Sequence, residues 1–388
     1  MAKPRIYLDN NATMPLRPQA RSAMLRALDE GGNASSVHAQ GRAARQIIET
    51  ARRQVSRLVN AAPADVIFTS CGTESNNQVI SSAVARGTQH ILISAVEHPA
   101  VSQAARASGA NLEILEVDSN GRLAPQTLSR ALEKISAKTA PAPVLVSIML
   151  ANNETGVLQP IAELAQIAHE HGALFHTDAV QGAGKLALDM PALGVDFLSL
   201  SAHKIGGPQG SGALIIRPSV AVEPFILGGG QERARRAGTE NLSGIAGFGA
   251  AAQAALEELE DMSRIKGLRD LLEDQIQAFD SSSLVLGKEA ERLDNTCFFA
   301  TAGVKAETLV IALDLEGIAI SAGSACSSGK ASTSFVPLAM GFDEDLASSM
   351  VRVSFGWQNT RDDITGFMDG YGAAVKRMRS GYGQESAA

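Results

Sequence analysis

The chain has 388 residues, 45% of them apolar and 19% charged, with a net charge of −7. That length holds about two or three domains with a large core, and the composition is that of a globular enzyme and not a disordered tail. The acidic balance argues against nucleic acid or an anionic membrane as partner, and three scattered cysteines (Cys71, Cys297, Cys326) exclude a disulfide framework.

The N-terminal stretch MAKPRIYLDNNATMP lacks an apolar core of signal-peptide length, and no apolar run reaches membrane-spanning length. The expectation is a protein of the reducing cytoplasm, with thiols available for reaction. Strand-like and helix-like stretches then alternate. VIFTS (66–70), HILISA (90–95), LEILEV (112–117), VLVSIML (144–150), ALFHTD (173–178), DFLSLS (196–201) and ALIIR (213–217) read as strands. Helical segments such as GRAARQIIETARRQVSRLV and IAELAQIAHEHG lie between several of them. The expected fold class is therefore α/β, with a mostly parallel seven-stranded sheet covered by helices.

From Gly244 to about Phe279, apolar residues recur at spacings of three and four, with an acidic outer face from Glu257 to Asp261. This predicts one long helix or two abutting ones, and a change of domain within it. Shorter strands (TCFFAT, IAISA) follow. The division expected is a large domain over 15–260 and a smaller α+β domain over 261–388, joined by residues 1–14 folding back.

In an open parallel sheet, ligands sit beyond the carboxyl ends of the strands. Five successive strand ends carry polar residues: Cys71-Gly72-Thr73-Glu74, Glu97-His98, Asn152-Asn153-Glu154, Asp178 with Gln181, and His203-Lys204. A lysine just past a strand end is either a snorkelling surface cation or a desolvated amine kept for covalent chemistry. Asp178 ends the preceding strand and suits a pyridinium nitrogen that must stay protonated. Gly72, Thr73 and Ser75 stand at a helix start, where backbone N–H groups meet phosphate. His98 is available to cover a ring. Lysine, aspartate, phosphate cradle and stacking ring together describe a site for pyridoxal 5'-phosphate.

Other features carry less. His169-Glu170-His171 places two histidines on different helix faces, so no metal is expected. GGPQGSG precedes a strand, where a dinucleotide loop would precede a helix. The arginines of QERARRAG (Arg233, Arg235, Arg236) read as a solvated turn, with binding of an anionic group as the alternative.

Beyond these readings, the chain resembles the cysteine desulfurases of the NifS/IscS-like group, class V aminotransferases within the fold-type-I pyridoxal phosphate enzymes. The resemblance runs from residue 6 to about 367. It is carried by YLDNNAT, GNASSVHAQGRAAR, TSCGTESNN, EHPAV, ANNETGVLQPI, HTDAVQGAGK, SLSAHKIGGPQGSG, GGGQERARRAGTEN, SAGSACSSG and VRVSFG. It implies that Lys204 binds the cofactor covalently, that Asp178 pairs with the pyridine nitrogen, and that Asn153 and Gln181 flank the ring hydroxyl. Thr73, Ser201 and His203 would hold the phosphate with the Gly72 backbone, and Thr239 would reach the phosphate of the partner subunit in a homodimer. His98 would stack on the ring and shuttle protons, while Asn33 and Arg352 would grip the substrate carboxylate.

Cys326 lies in the small-residue run SAGSACSSG, a poor setting for a core thiol and a good one for a delivered nucleophile. The resemblance implies conversion of L-cysteine to L-alanine, with sulfur held as a persulfide on Cys326 for a scaffold or acceptor protein of iron–sulfur cluster assembly. The rivals are a selenocysteine lyase, another class V lyase or aminotransferase, and a non-catalytic scaffold. Ala34, Ser332-Thr333 and Trp357 depart from the group's pattern, at positions that leave the acceptor open.

Overall fold

The computed structural model describes residues 5–137, 143–323 and 333–385. The strands in chain order are β1 (Ile6–Tyr7), β2 (Val66–Thr69), β3 (His90–Ser94), β4 (Asn111–Leu115), β5 (Val144–Ser147), β6 (Leu174–Asp178), β7 (Phe197–Ser201) and β8 (Gly212–Ile216). They continue with β9 (Leu284–Val285), β10 (Thr296–Ala300), β11 (Ile318–Ala319), β12 (Ser321–Ala322) and β13 (Met350–Ser354). Seven of them form one sheet in the order β2-β8-β7-β6-β5-β3-β4, parallel throughout except for β8. This is the sheet expected, and its strands match the predicted runs to within a few residues.

The central strands VLVS, LFHTD and FLSLS are almost wholly buried, because helices cover both faces and no side is left for water. Only the edge strand β4 alternates with exposed residues. One core histidine is tolerated there. His176 lies between the Ser147 and Ser199 hydroxyls at 2.8 and 3.0 Å, and burial pushes its pKa down to about 3, so it stays neutral.

Of the two arrangements expected after Gly244, the structure has two abutting helices, Leu242–Glu257 and Met262–Phe279, separated by a 3₁₀ turn at Leu259–Asp261. Glu258 at the break pairs with the buried Arg17 at 2.6 Å, which gives the acidic run a partner inside the protein. The second core packs around an antiparallel sheet of order β12-β13-β10-β9. The N-terminus joins it: β1 runs parallel to β11, and Asp9 bridges to Ser354.

In the arginine-rich loop all three arginines meet partners within the protein, although Arg233 stays exposed. Glu232, Arg233 and Ala234 take left-handed φ values of 46°, 58° and 61°, turning the loop back onto the large sheet. Arg52 grips the Glu232 carboxylate at 2.6 and 2.8 Å, Arg236 reaches Glu74 at 2.9 Å, and Arg233 and Arg235 donate to the Ala64 carbonyl. Among the described residues, no helix is long and apolar enough to cross a membrane.

Candidate active site

A cavity of about 360 Å³ opens at the carboxyl ends of the parallel strands, where the sheet meets β13. A larger groove of about 740 Å³ lies against the small sheet, but its cations are already paired, Lys305 with Asp345 and Arg379 with Asp280. Chemistry, not size, picks the smaller one.

One wall is built by the turn after β2. Cys71 is extended (φ −174°), and the helix Gly72–Ala85 starts at once, aiming its first N–H groups into the cavity beside Thr73. Only glycine fits at the start, since a Cβ on Gly72 would lie 2.7 Å from Val180 Cγ2. One turn along the helix, Asn76 Nδ2 donates to Asp178 Oδ2 at 2.7 Å, and the Val180 N–H donates to Oδ1 at 3.0 Å. Asp178, 7% exposed at the end of β6, is thus a pinned carboxylate facing the cavity.

The opposite end comes from β7. After Ser201 a 3₁₀ turn, Ala202–Ile205, presents His203 and Lys204 before Gly206 reverses the chain at φ 80°. The Lys204 amine donates to the carbonyls of Asn11 and Ala12 (2.9 Å to Ala12). His203 meets Thr13 Oγ1 at 3.3 Å; burial, then the Lys204 charge, lowers its pKa to about 4. The surface-cation reading of Lys204 therefore gives way to an amine held at a cavity wall.

His98 caps the helix Pro99–Ala107 by accepting the Ala100 N–H at Nδ1, 3.0 Å away. That bond assigns the proton of the neutral ring to Nε2. Burial lowers the pKa of this ring, Asp178 opposes it, and Lys204 adds to it. Arg352, 3% exposed on β13, donates to Asp9 Oδ1 at 2.6 Å and to the Asn153 carbonyl at 2.9 Å. Its Nε is buried with no partner among the described residues.

Of the residues named from sequence, Gly72, Thr73, His98, Asn153, Asp178, Gln181, Ser201, His203, Lys204 and Arg352 line this cavity. Asn33 and Thr239 do not; both are exposed, and Asn33 caps its own turn through the Ser35 N–H. Cys326 and Ser332 lie outside the described residues. Ala34 and Trp357 stand apart from the cavity, Trp357 under the Arg17 guanidinium at 5.7 Å.

Sequence reasoning assigned no role to Asn11, Asn76 or Asp9, although all three stand in quoted motifs. Two buried acids also flank the site. Burial raises the pKa of Glu97 to about 8, against the hydrogen bonds from Ser94 and the Met149 N–H. Burial likewise raises that of Glu154 to about 7, against Ser334 and Arg352.

The donor set fits pyridoxal phosphate on one observation beyond the motif. Ser201 Oγ is buried in the cavity wall with no partner among the described residues, beside a helix start and two further donors, Thr73 and His203. A phosphate would satisfy it.

Comparison with known proteins agrees. Residues 6–367 match the family model described as aminotransferase class-V. The chain is 40% identical over 393 residues to a cysteine desulfurase IscS of Dictyoglomus turgidum, covering 99% of this chain and 98% of that one. The fold superposes on a NifS-like protein from Rickettsia africae with a TM-score of 0.88 at 34% identity, covering 96% of this chain and 99% of that one. It also resembles SspA in complex with cysteine, with a TM-score of 0.77 at 28% identity, over 90% and 98% of the two chains. With one model spanning nearly its whole length, the chain belongs to the class-V aminotransferase family.

Proposed function

We propose that this chain is a cysteine desulfurase that binds pyridoxal 5'-phosphate in the cavity and works in the reducing cytoplasm. It takes L-cysteine to L-alanine, with the sulfur captured on Cys326 and passed to an acceptor protein of iron–sulfur cluster assembly. The observation that carries the reading is the convergence of Lys204, pinned Asp178 and the unpartnered Ser201 hydroxyl on one cavity. When bound, the cofactor supplies an electron sink for charge that develops on the substrate.

The chain's own groups do the rest. Thr73, Ser201, His203 and the first N–H groups of the Gly72 helix hold the phosphate. Asp178, fixed by Asn76 and Val180, keeps a proton at the ring nitrogen. Lys204 supplies the covalent tether, and His98 exchanges protons through Nε2. The Cys326 thiolate forms a bond to the substrate sulfur as the carbon–sulfur bond breaks. The electron pair stays with the three-carbon fragment, which takes up protons and leaves as L-alanine. The test is product analysis of the purified holoenzyme: L-alanine should form from L-cysteine, and release of pyruvate in its place would overturn the assignment.

Arg352 binds the substrate carboxylate in this reading, through the edge of the guanidinium that includes the unpartnered Nε. Arg352→Lys keeps the charge but loses the planar fork. The expected loss is about 2–4 kcal/mol, or roughly 30- to 1000-fold in kcat/KM for L-cysteine. Wild-type kinetics from this variant would sink the role.

Thr239 is exposed on a loop anchored by the Arg52–Glu232 and Arg236–Glu74 pairs, away from its own chain's cavity. It is read as serving the neighbouring site of a homodimer. Sedimentation of the dilute holoenzyme should give a dimer, and a fully active monomer would exclude it.

A further inference from the structure

Next to the cavity lies an amine that the chemistry above does not use. Lys185, which ends the HTDAVQGAGK stretch, is only 4% exposed. Its Nζ donates to Asn11 Oδ1 at 3.0 Å and to Gln181 Oε1 at 2.9 Å. Both acceptors are neutral amides, and among the described residues it pairs with no carboxylate. A neutral amine has two N–H donors, and two are used here; an ammonium would bring a third. Burial, followed by the positive charges of Lys204 and Arg352, pushes this amine well below the usual lysine range. An apolar side chain would fill the space at less desolvation cost, so packing alone does not explain a lysine.

Gln181 shows what the donors do. A primary amide presents a donor and an acceptor of nearly the same shape, and only its neighbours decide which way it faces. Here the neighbours are opposite in kind. Lys185 offers a donor to Oε1, while the Asn11 carbonyl accepts from Nε2 at 3.0 Å. A flipped amide would set its oxygen against the Asn11 carbonyl. Nε2 therefore keeps a second N–H for the cavity that Gln181 lines. The same Asn11 carbonyl also receives the Lys204 amine. Lys185, Gln181, Asn11 and Lys204 form one hydrogen-bonded chain.

We propose that Lys185 is a positioning residue, a buried amine that locks the Gln181 amide with Nε2 toward the cavity to donate to an anionic ring oxygen. This deepens the reading above and rests on its placing Gln181 against the cofactor.

The test is a double-mutant cycle on the holoenzyme, read by equilibrium dialysis of pyridoxal phosphate and by the bound cofactor's visible absorbance. Lys185→Met keeps the length without the donors. It should weaken cofactor binding about tenfold, the worth of one hydrogen bond to a charged oxygen, and shift the absorbance maximum. In a Gln181→Ala background the same change should add nothing beyond about twofold. Lys185→Leu stands in should Lys185→Met fail to fold, and Lys185→Gln, which keeps an N–H donor, should recover part of the affinity. Wild-type affinity and absorbance in the apolar variants would overturn the proposal, as would effects that multiply in the double variant. Gln181→Ala without effect on cofactor binding would overturn it too, by removing Gln181 from the cofactor site.

Discussion

Replacing Cys326 with alanine is expected to stop sulfur transfer while leaving the cofactor bound and coloured. The described groups proposed to hold the cofactor, Thr73, Ser201, His203, Asp178, His98 and Lys204, all come from the large sheet and its turns. On either side of Cys326, the described residues Gly323 and Ser334 both reach Glu154, next to Asn153. Ser334 Oγ donates to the Glu154 carboxyl, and a Cβ on Gly323 would lie 2.8 Å from Glu154 Oε2. The chain at Gly323 and at Ser334 is thus held beside the proposed substrate end of the cavity. Without the thiolate nothing attacks the substrate sulfur, and alanine formation should fall by about a thousandfold or more. In the unaltered protein, mass spectrometry after L-cysteine addition should find about 32 Da on the Cys326 peptide, one added sulfur. Undiminished alanine formation by Cys326→Ala would move the protein to the lyases.

Lys204→Ala should be as severe for a different reason. In the proposed reading Lys204 is the covalent link between cofactor and chain, and no other described amine stands at the cavity wall; Lys185 is buried behind it with both donors engaged. The variant should lose the visible band that borohydride reduction removes from the wild type, and turnover should fall on the order of a thousandfold or more. Phosphate contacts remain, so some cofactor should still bind noncovalently. A variant with the band and turnover intact would show that the tether lies elsewhere.

Glu232 and Glu154 mark where prediction from the chain alone stopped short. QERARRAG carries three arginines, and composition suggested water or an anion. The loop instead supplies its own anion, Glu232, to Arg52, 180 residues away in sequence. Nothing local distinguishes a buried acceptor of that kind from a solvated one. SAGSACSSG advertised a nucleophile by its small residues, yet Glu154, which holds Ser334 beside it, lies 180 residues upstream.

By itself, the sequence determined the seven strands, the parallel sheet, the strand ends that bear chemistry and the identity of most cavity residues. Each of these depends on short-range pattern: runs that must be buried on both faces, turns that only glycine permits, polar residues clustered where a strand stops. The tertiary structure alone decided the partners. Asn76 pins Asp178 across 102 residues, Lys185 finds Asn11 across 174, and Arg352 finds Asp9 across 343. Those pairs set which carboxylate is held, which amide is fixed and which guanidinium edge stays open. Hydrogen bonds form over about 3 Å and desolvation depends on every neighbour, so they answer to packed coordinates and not to spacing along the chain.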